Sequence, residues 1–194
     1  MINKTHFDTY NHWMFSLLSA FLASFTATLL IIRFEHLHNH ISADSDLSGP
    51  QKFHHKIVPR IGGISIALGI LIAVLLKFLT KPNAAIELTL LACAIPVFSI
   101  GLLEDLTKKI SIRTRLLFTA IGTILAICFL EVTIARLDIP VVDYLLGFSP
   151  IAVVFTIFAV TGLSNAYNII DGFNGLSSMV GIIALMAIGY VSYI

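Results

Sequence analysis

The sequence predicts an all-α fold, a polytopic integral membrane protein of about six transmembrane helices joined by short loops, with its N-terminus outside. Three observations carry that prediction. Of 194 residues, 57% are hydrophobic and only 12% charged, whereas soluble domains average about 45–50% apolar and about 25% charged. Mean hydropathy is correspondingly high, at +0.94. Six apolar runs approach the roughly 20 residues that a helix needs to cross a bilayer. Lysine and arginine are also shared unequally between alternate loops, as the positive-inside rule requires. A formal net charge of +1 argues against a nucleic-acid-binding face, which usually carries a concentrated basic excess. Cys93 and Cys128 lie inside apolar runs, which argues against a disulfide framework.

The first run, 13–33, is too long for the apolar region of a signal peptide and no small-residue cleavage site follows it. It reads as a true span. After a polar stretch over 35–60, Gly62 and Gly63 open a second span over 61–79, and 86–102 forms the third. The third loop, 103–114, leads into a fourth span over 115–131. A longer connection, 132–148, precedes the fifth span, 149–164, and the fifth loop, 165–175, precedes the sixth, 176–194. Arg33, Lys52, Lys56 and Arg60 border the first loop, and Lys108, Lys109, Arg113 and Arg115 the third; Lys4, Lys77, Lys81 and Arg136 fall on the other side. The richer side belongs in the cytoplasm, which puts the first, third and fifth loops there. With no internal repeat or soluble linker, residues 1–194 read as a single membrane domain.

Polar residues at membrane boundaries cost free energy and so ask for a reason, about 2.5–3.5 kcal/mol for a charge at a helix centre. Glu104 and Asp105 stand side by side after the third run, where like charges repel unless a cation sits between them. Mg²⁺ accepts one or two carboxylates and fills its shell with water and phosphate oxygens, so the pair suits a metal–diphosphate site. The alternative is a helix end reaching water beside Lys108 and Lys109. In the fifth loop Asn165, Asn168 and Asp171 recur every three residues, along one side of a helical turn. Asp171-Gly172 and Asn174-Gly175 then supply turn chemistry with permissive backbone. Two amides, a carboxylate and glycines suit a polar ligand held close to backbone; the alternative is a tight interhelical turn. In the first loop, Lys52, His54 and Arg60 precede a glycine-opened helix start, which favours anions. The alternative there is positive-inside bias with glycines for packing. His36, His38 and His40 read as a hydrated juxtamembrane loop, and the cluster Lys108, Lys109, Arg113 and Arg115 as a topology signal or a lipid-phosphate attractor.

All three informative segments fall in odd-numbered loops, hence on one membrane face. Three segments carry a resemblance: Lys52-Phe-His54 with Pro59-Arg-Ile-Gly-Gly63, Gly101-Leu-Leu-Glu-Asp105, and Asn165-Ala-Tyr-Asn168-Ile-Ile-Asp171-Gly172-Phe-Asn174-Gly175-Leu. The chain resembles the polyprenyl-phosphate N-acetylhexosamine-1-phosphate transferases, glycosyltransferase family 4, over about residues 45–194. The wording of its loops is nearer the GlcNAc- or FucNAc-phosphate branch than the muramoyl-pentapeptide branch.

The resemblance implies an enzyme of the bacterial inner membrane in cell-wall or O-antigen synthesis. It would move HexNAc-1-phosphate from a UDP-sugar to undecaprenyl phosphate and release UMP, with Mg²⁺, or Mn²⁺ in its place. In that scheme Asp105 and Glu104 are catalytic, Asp105 and Asn168 serve the metal, and Lys52, His54, Arg60, Asn165, Asp171, Gly172 and Asn174 bind substrate. Three departures stand out. The first acidic residue is Glu104 where the family has Asp, and Asn174 replaces an aspartate. The family also continues past its sixth span into a half bearing another metal-binding aspartate and a histidine-rich loop. The chain is therefore expected to be the N-terminal part of a larger transferase domain. The alternative function is a truncated membrane protein that binds nucleotide sugar or lipid phosphate without turnover, or an inactive fragment. A transporter is disfavoured, because no Lys, Arg, Asp or Glu lies near a span centre. The sequence leaves the sugar, the carrier length and any homo-oligomer open.

Overall fold

In hydrocarbon no water satisfies a peptide group, so an apolar run must close its own hydrogen bonds, and a helix does so within one segment. A computed structural model describes residues 4–34, 61–80, 85–107, 109–170 and 175–193. Among these the chain forms helices and no strands: α1 (Lys4–Arg33), α2 (Gly62–Thr80), α3 (Ala85–Thr107), α4 (Ile112–Leu130), α5 (Pro140–Leu146), α6 (Ser149–Ile170) and α7 (Leu176–Tyr193). Met14–Arg33 of α1 and the whole of α2, α3, α4 and α6 are long and apolar enough to cross a membrane. The apolar part of α7, Leu176–Ser192, is shorter. The all-helical membrane architecture expected from composition is present, with five helices long and apolar enough to span and a shorter sixth apolar helix among the described residues.

Helix ends differ from the ends of the apolar runs. The third run stops at residue 102 and α3 at Thr107; the fifth stops at 164 and α6 at Ile170. Hydropathy marks where apolar side chains end, whereas a helix ends where its backbone carbonyls find other partners. Asn165 and Asn168 therefore ride on α6 itself. The connection 132–148 also contains order that hydropathy did not show. Glu131 closes α4 in the left-handed region, φ 54°, and its N–H donates to Ile127 O at 2.9 Å. Pro140 then starts α5, where a missing N–H costs nothing. The Asp143 carboxylate accepts from Leu137 N at 2.7 Å.

Packing follows membrane rules. Large apolar residues such as Phe21, Leu79, Phe129 and Phe158 point outward, and no more than 17% of any long span is buried. Lipid is as apolar as leucine, so helices associate through small residues and interhelical hydrogen bonds. Gly69 of α2 sits so close to α1 that an added Cβ would lie 2.9 Å from Ala20 O and 3.0 Å from Ser24 Cβ. Nearby, Thr28 Oγ1 donates to Ser65 Oγ at 2.9 Å. Gly122 of α4 is as tight against α3: a Cβ there would lie 2.7 Å from Val97 Cγ2 and 3.0 Å from Cys93 O. Among the described residues the buried polar ones are hydroxyls, Ser65, Thr119, Thr123 and Thr156. Thr156 donates to Ala152 O at 2.7 Å and accepts from Ile134 N at 2.8 Å, which pins the stretch after α4 to α6.

These contacts fix direction. Thr28 of α1 meets Ser65 of α2, Lys77 of α2 pairs with Glu87 of α3, and Cys93 and Val97 of α3 face Gly122 of α4. Successive spans therefore run antiparallel. The ends of α1, α3 and α6 and the starts of α2, α4 and α7 gather at one end of the bundle, which is the end that carries the candidate site.

Replacing Gly122 by valine is expected to destabilise the protein by about 1–3 kcal/mol, the usual cost of overpacking. Nothing lies within 4 Å of a Cβ built on Gly162, so Gly162→Ala is expected to be neutral or stabilising by up to about 1 kcal/mol. Thermal unfolding of both variants in the same detergent checks the contrast.

Candidate functional site

The site is built from the last turns of α3 and α6 and the first turns of α4. Ser111 caps α4, its hydroxyl accepting from Thr114 N at 3.2 Å, and this sets Arg115 one turn into the helix. From there the guanidinium crosses to two neighbours. Arg115 Nη1 donates to Glu104 Oε1 at 2.8 Å and Oε2 at 3.0 Å, and Nη2 donates to Asn165 Oδ1 at 2.9 Å. One planar cation thus ties α3, α4 and α6 together. Arg115 is 15% exposed and Glu104 27%, so the pair is shielded more than a surface ion pair yet keeps some water.

Helix dipoles sharpen the need for this pairing. Glu104 lies near the C-terminus of α3 and Arg115 near the N-terminus of α4, each at the end that disfavours its charge. Paired, each supplies the opposite charge that the other lacks. Below Arg115 the α4 face continues as Thr119, Gly122 and Thr123, all buried. Below Asn165, one turn down α6, Thr161 has a buried hydroxyl with no hydrogen-bond partner among the described residues.

Of the residues singled out from sequence, the structure brings Glu104 and Asn165 together through Arg115. Asp105 is the next residue on α3, half-buried, and points about 100° away from Glu104 around the helix. Asn168 lies one turn beyond Asn165 on α6 and is exposed at the same end of the bundle. Lys52, His54, Arg60, Asp171, Gly172 and Asn174 lie outside the described residues, as do His36, His38, His40 and Lys108. Among the described residues no three of His, Cys, Asp and Glu converge on one point. Asp105 and Asn168 offer oxygen donors of the hard type that suits Mg²⁺, which commonly takes few protein ligands and keeps its waters.

Arg115, which the sequence presents as a topology signal or a lipid-phosphate attractor, also ties three helices together. A local signal existed. Arg115 opens the fourth apolar run, where a cation sits at the wrong end of a helix, with an acidic residue just past the end of the previous run. What could not be read locally was the third partner, fifty residues away on α6.

The family model described as glycosyl transferase family 4 matches residues 87–194, more than half of the chain. The chain belongs to glycosyl transferase family 4. Glu104, Asp105, Arg115, Asn165 and Asn168 all fall inside the matched region of this family-4 chain, and Lys52, His54 and Arg60 precede it. It is similar to the undecaprenyl-phosphate alpha-N-acetylglucosaminyl 1-phosphate transferase of Escherichia coli (strain K12), 29% identical over 143 residues, or 74% of this chain and 38% of that protein. The protein of the same name from Yersinia pestis is 28% identical over the same coverage. A probable undecaprenyl-phosphate N-acetylglucosaminyl 1-phosphate transferase of Bacillus subtilis (strain 168) is 27% identical over 127 residues, 66% of this chain and 34% of that protein. The chain thus spans little more than a third of the length of the curated relatives it matches. No solved structure matches it.

Arg115→Met would remove the guanidinium that donates to both Glu104 and Asn165. The expected loss is about 1–3 kcal/mol, the range for hydrogen bonds to charged groups lowered for partial exposure. Arg115→Lys should recover only part of it, because an ammonium lacks the fork that serves two acceptors at once. Thermal or denaturant unfolding in detergent measures both.

Proposed function

We propose that this chain takes part in transferring a HexNAc-1-phosphate from a UDP-sugar to undecaprenyl phosphate, at the cytoplasmic face of a bacterial inner membrane. The observation that carries this reading is the meeting of an acidic helix end, Glu104-Asp105, with an amide-bearing helix end, Asn165 and Asn168, at one end of the bundle. Family membership and the names of the relatives support the reaction class. The balance of lysine and arginine supports a cytoplasmic site with the N-terminus outside.

In the proposed reaction a phosphate oxygen of the lipid attacks the sugar-linked phosphorus of the UDP-sugar. A new P–O bond forms, the bond from that phosphorus to the bridging oxygen breaks, and UMP leaves with the electron pair. Such transfers depend on positioning and charge neutralisation more than on covalent chemistry from the protein. Bound Mg²⁺, or Mn²⁺ in its place, would supply charge neutralisation for the diphosphate, held by Asp105 and Asn168. Asp105 would also keep the attacking phosphate deprotonated. Asn165 holds the end of α6 in place, and Asp171, Gly172 and Asn174 beyond that end would bind the nucleotide. Lys52, His54 and Arg60 would orient phosphates from the first loop. With this end of the bundle at the membrane boundary, a soluble nucleotide and a lipid phosphate would meet there.

Membranes carrying the native gene product should release UMP from a UDP-HexNAc only when polyprenyl phosphate and Mg²⁺ are both present. Asp105→Asn should lower that release by at least about 10²-fold, the lower range for loss of a positioned acid or base. Release that survives the substitution unchanged would remove Asp105 from the chemistry.

A further inference from the structure

Two adjacent carboxylates on a helix diverge by about 100°, so they cannot serve one partner in the same way. Glu104 turns across the seam and accepts from Arg115 with both oxygens. Drawing it off toward a cation would leave a partly buried guanidinium without its counter-charge, which is costly. Glutamate also reaches about 1.5 Å further than aspartate, one C–C bond, and that reach spans the gap to α4. On the other side, Arg115 Nη2 occupies Asn165 Oδ1. Asn165 and Asn168 are about 4.5 Å apart along the helix axis. Asp105 is chain neighbour to one clasp residue, and Asn168 is one turn from another.

We infer that Arg115 is a positioning residue: it clamps Glu104 and Asn165 so that Asp105 on α3 and Asn168 on α6 are held at a fixed spacing, and Glu104 is a strut rather than a cation ligand. This rests on the transferase reading above. The competing role for a cation at this place is direct contact with a substrate phosphate. The two roles differ in what happens when the charges are exchanged. A clasp works with its polarity reversed, because the Asn165 amide can turn over and donate its NH₂ to a carboxylate at position 115. The exchange also puts each charge at the helix end whose dipole favours it, so the exchanged protein should fold well. A phosphate ligand does not survive that exchange.

The test compares native protein, Glu104→Arg, Arg115→Glu and the double exchange, in the native gene product purified in detergent. Three readouts are taken: melting temperature without ligand, Mg²⁺-dependent binding of UDP, and UMP release. Each single substitution should lower the melting temperature and weaken UDP binding and release by about 10- to 100-fold, as loss of an outer-shell partner does. The double exchange should restore the melting temperature and recover most of both other signals. A double exchange that melts normally but neither binds UDP nor releases UMP overturns the positioning role and assigns Arg115 to the ligand. Failure of the double exchange to recover the melting temperature also overturns it. Asn165→Leu combined with Arg115→Gln gives a second measure: their effects on melting and UDP binding should be far from additive, and additive effects would refute the clasp. A native protein that releases no UMP sinks the transferase reading and the positioning role together. Loss of the positioning role alone shows as normal release by the native protein with an inactive, well-folded exchange.

Discussion

The fold depends on one constraint: in lipid, helices gain nothing by hiding leucine from its surroundings, so they must be held by close approach and by polar bonds. Each neighbouring pair answers it in its own way. The α1–α2 pair uses Gly69 and a Thr28–Ser65 hydrogen bond, and the α3–α4 pair uses Gly122 against Cys93 and Val97. Lys77 and Glu87 join α2 to α3 at the far end. Thr156 holds α6 to the segment after α4 through its own hydroxyl. Among the described residues the core that results is small, built from hydroxyls, glycines and a few apolar side chains such as Cys93, Ile100 and Ala152, while most large apolar side chains cover the outside.

That constraint explains why an ion pair stands where it does. Charges at the site end sit against unfavourable helix dipoles, and only mutual neutralisation with good hydrogen-bond geometry makes them tolerable. Arg115 provides it for α3 and α6 at once, since guanidinium nitrogens are fixed in a fork. A lysine has the charge and lacks the second direction. The contact that stabilises the end of the bundle therefore also sets the distance between the acidic and the amide-bearing helix ends.

The opposite end has a different character. The exposed pair Arg136–Asp138 and the short helix α5 lie there, and the Asp143 side chain closes the backbone before α5. An ion pair so open to water contributes little. The Lys77–Glu87 pair links two helices at this end, but the three-helix tie made by Arg115 is at the candidate-site end.

The sequence by itself determined the membrane class, the all-helical fold and the alternation of the apolar runs, because hydropathy and helix length are local quantities. It also picked out Glu104, Asp105, Asn165 and Asn168, because polar residues at a membrane boundary are conspicuous against their surroundings. The extra turns of α3 and α6 were not legible, since a helix continues while its carbonyls stay bonded, whatever the side chains. Only the tertiary structure decided the partner of Glu104. Which way Arg115 points depends on how α4 is rotated against α3, and its bond to Asn165 joins residues fifty apart in the chain. Rotation and register between helices are set by small-residue contacts such as Gly122 against Val97, and those contacts leave no periodic trace in a sequence that is apolar on every face.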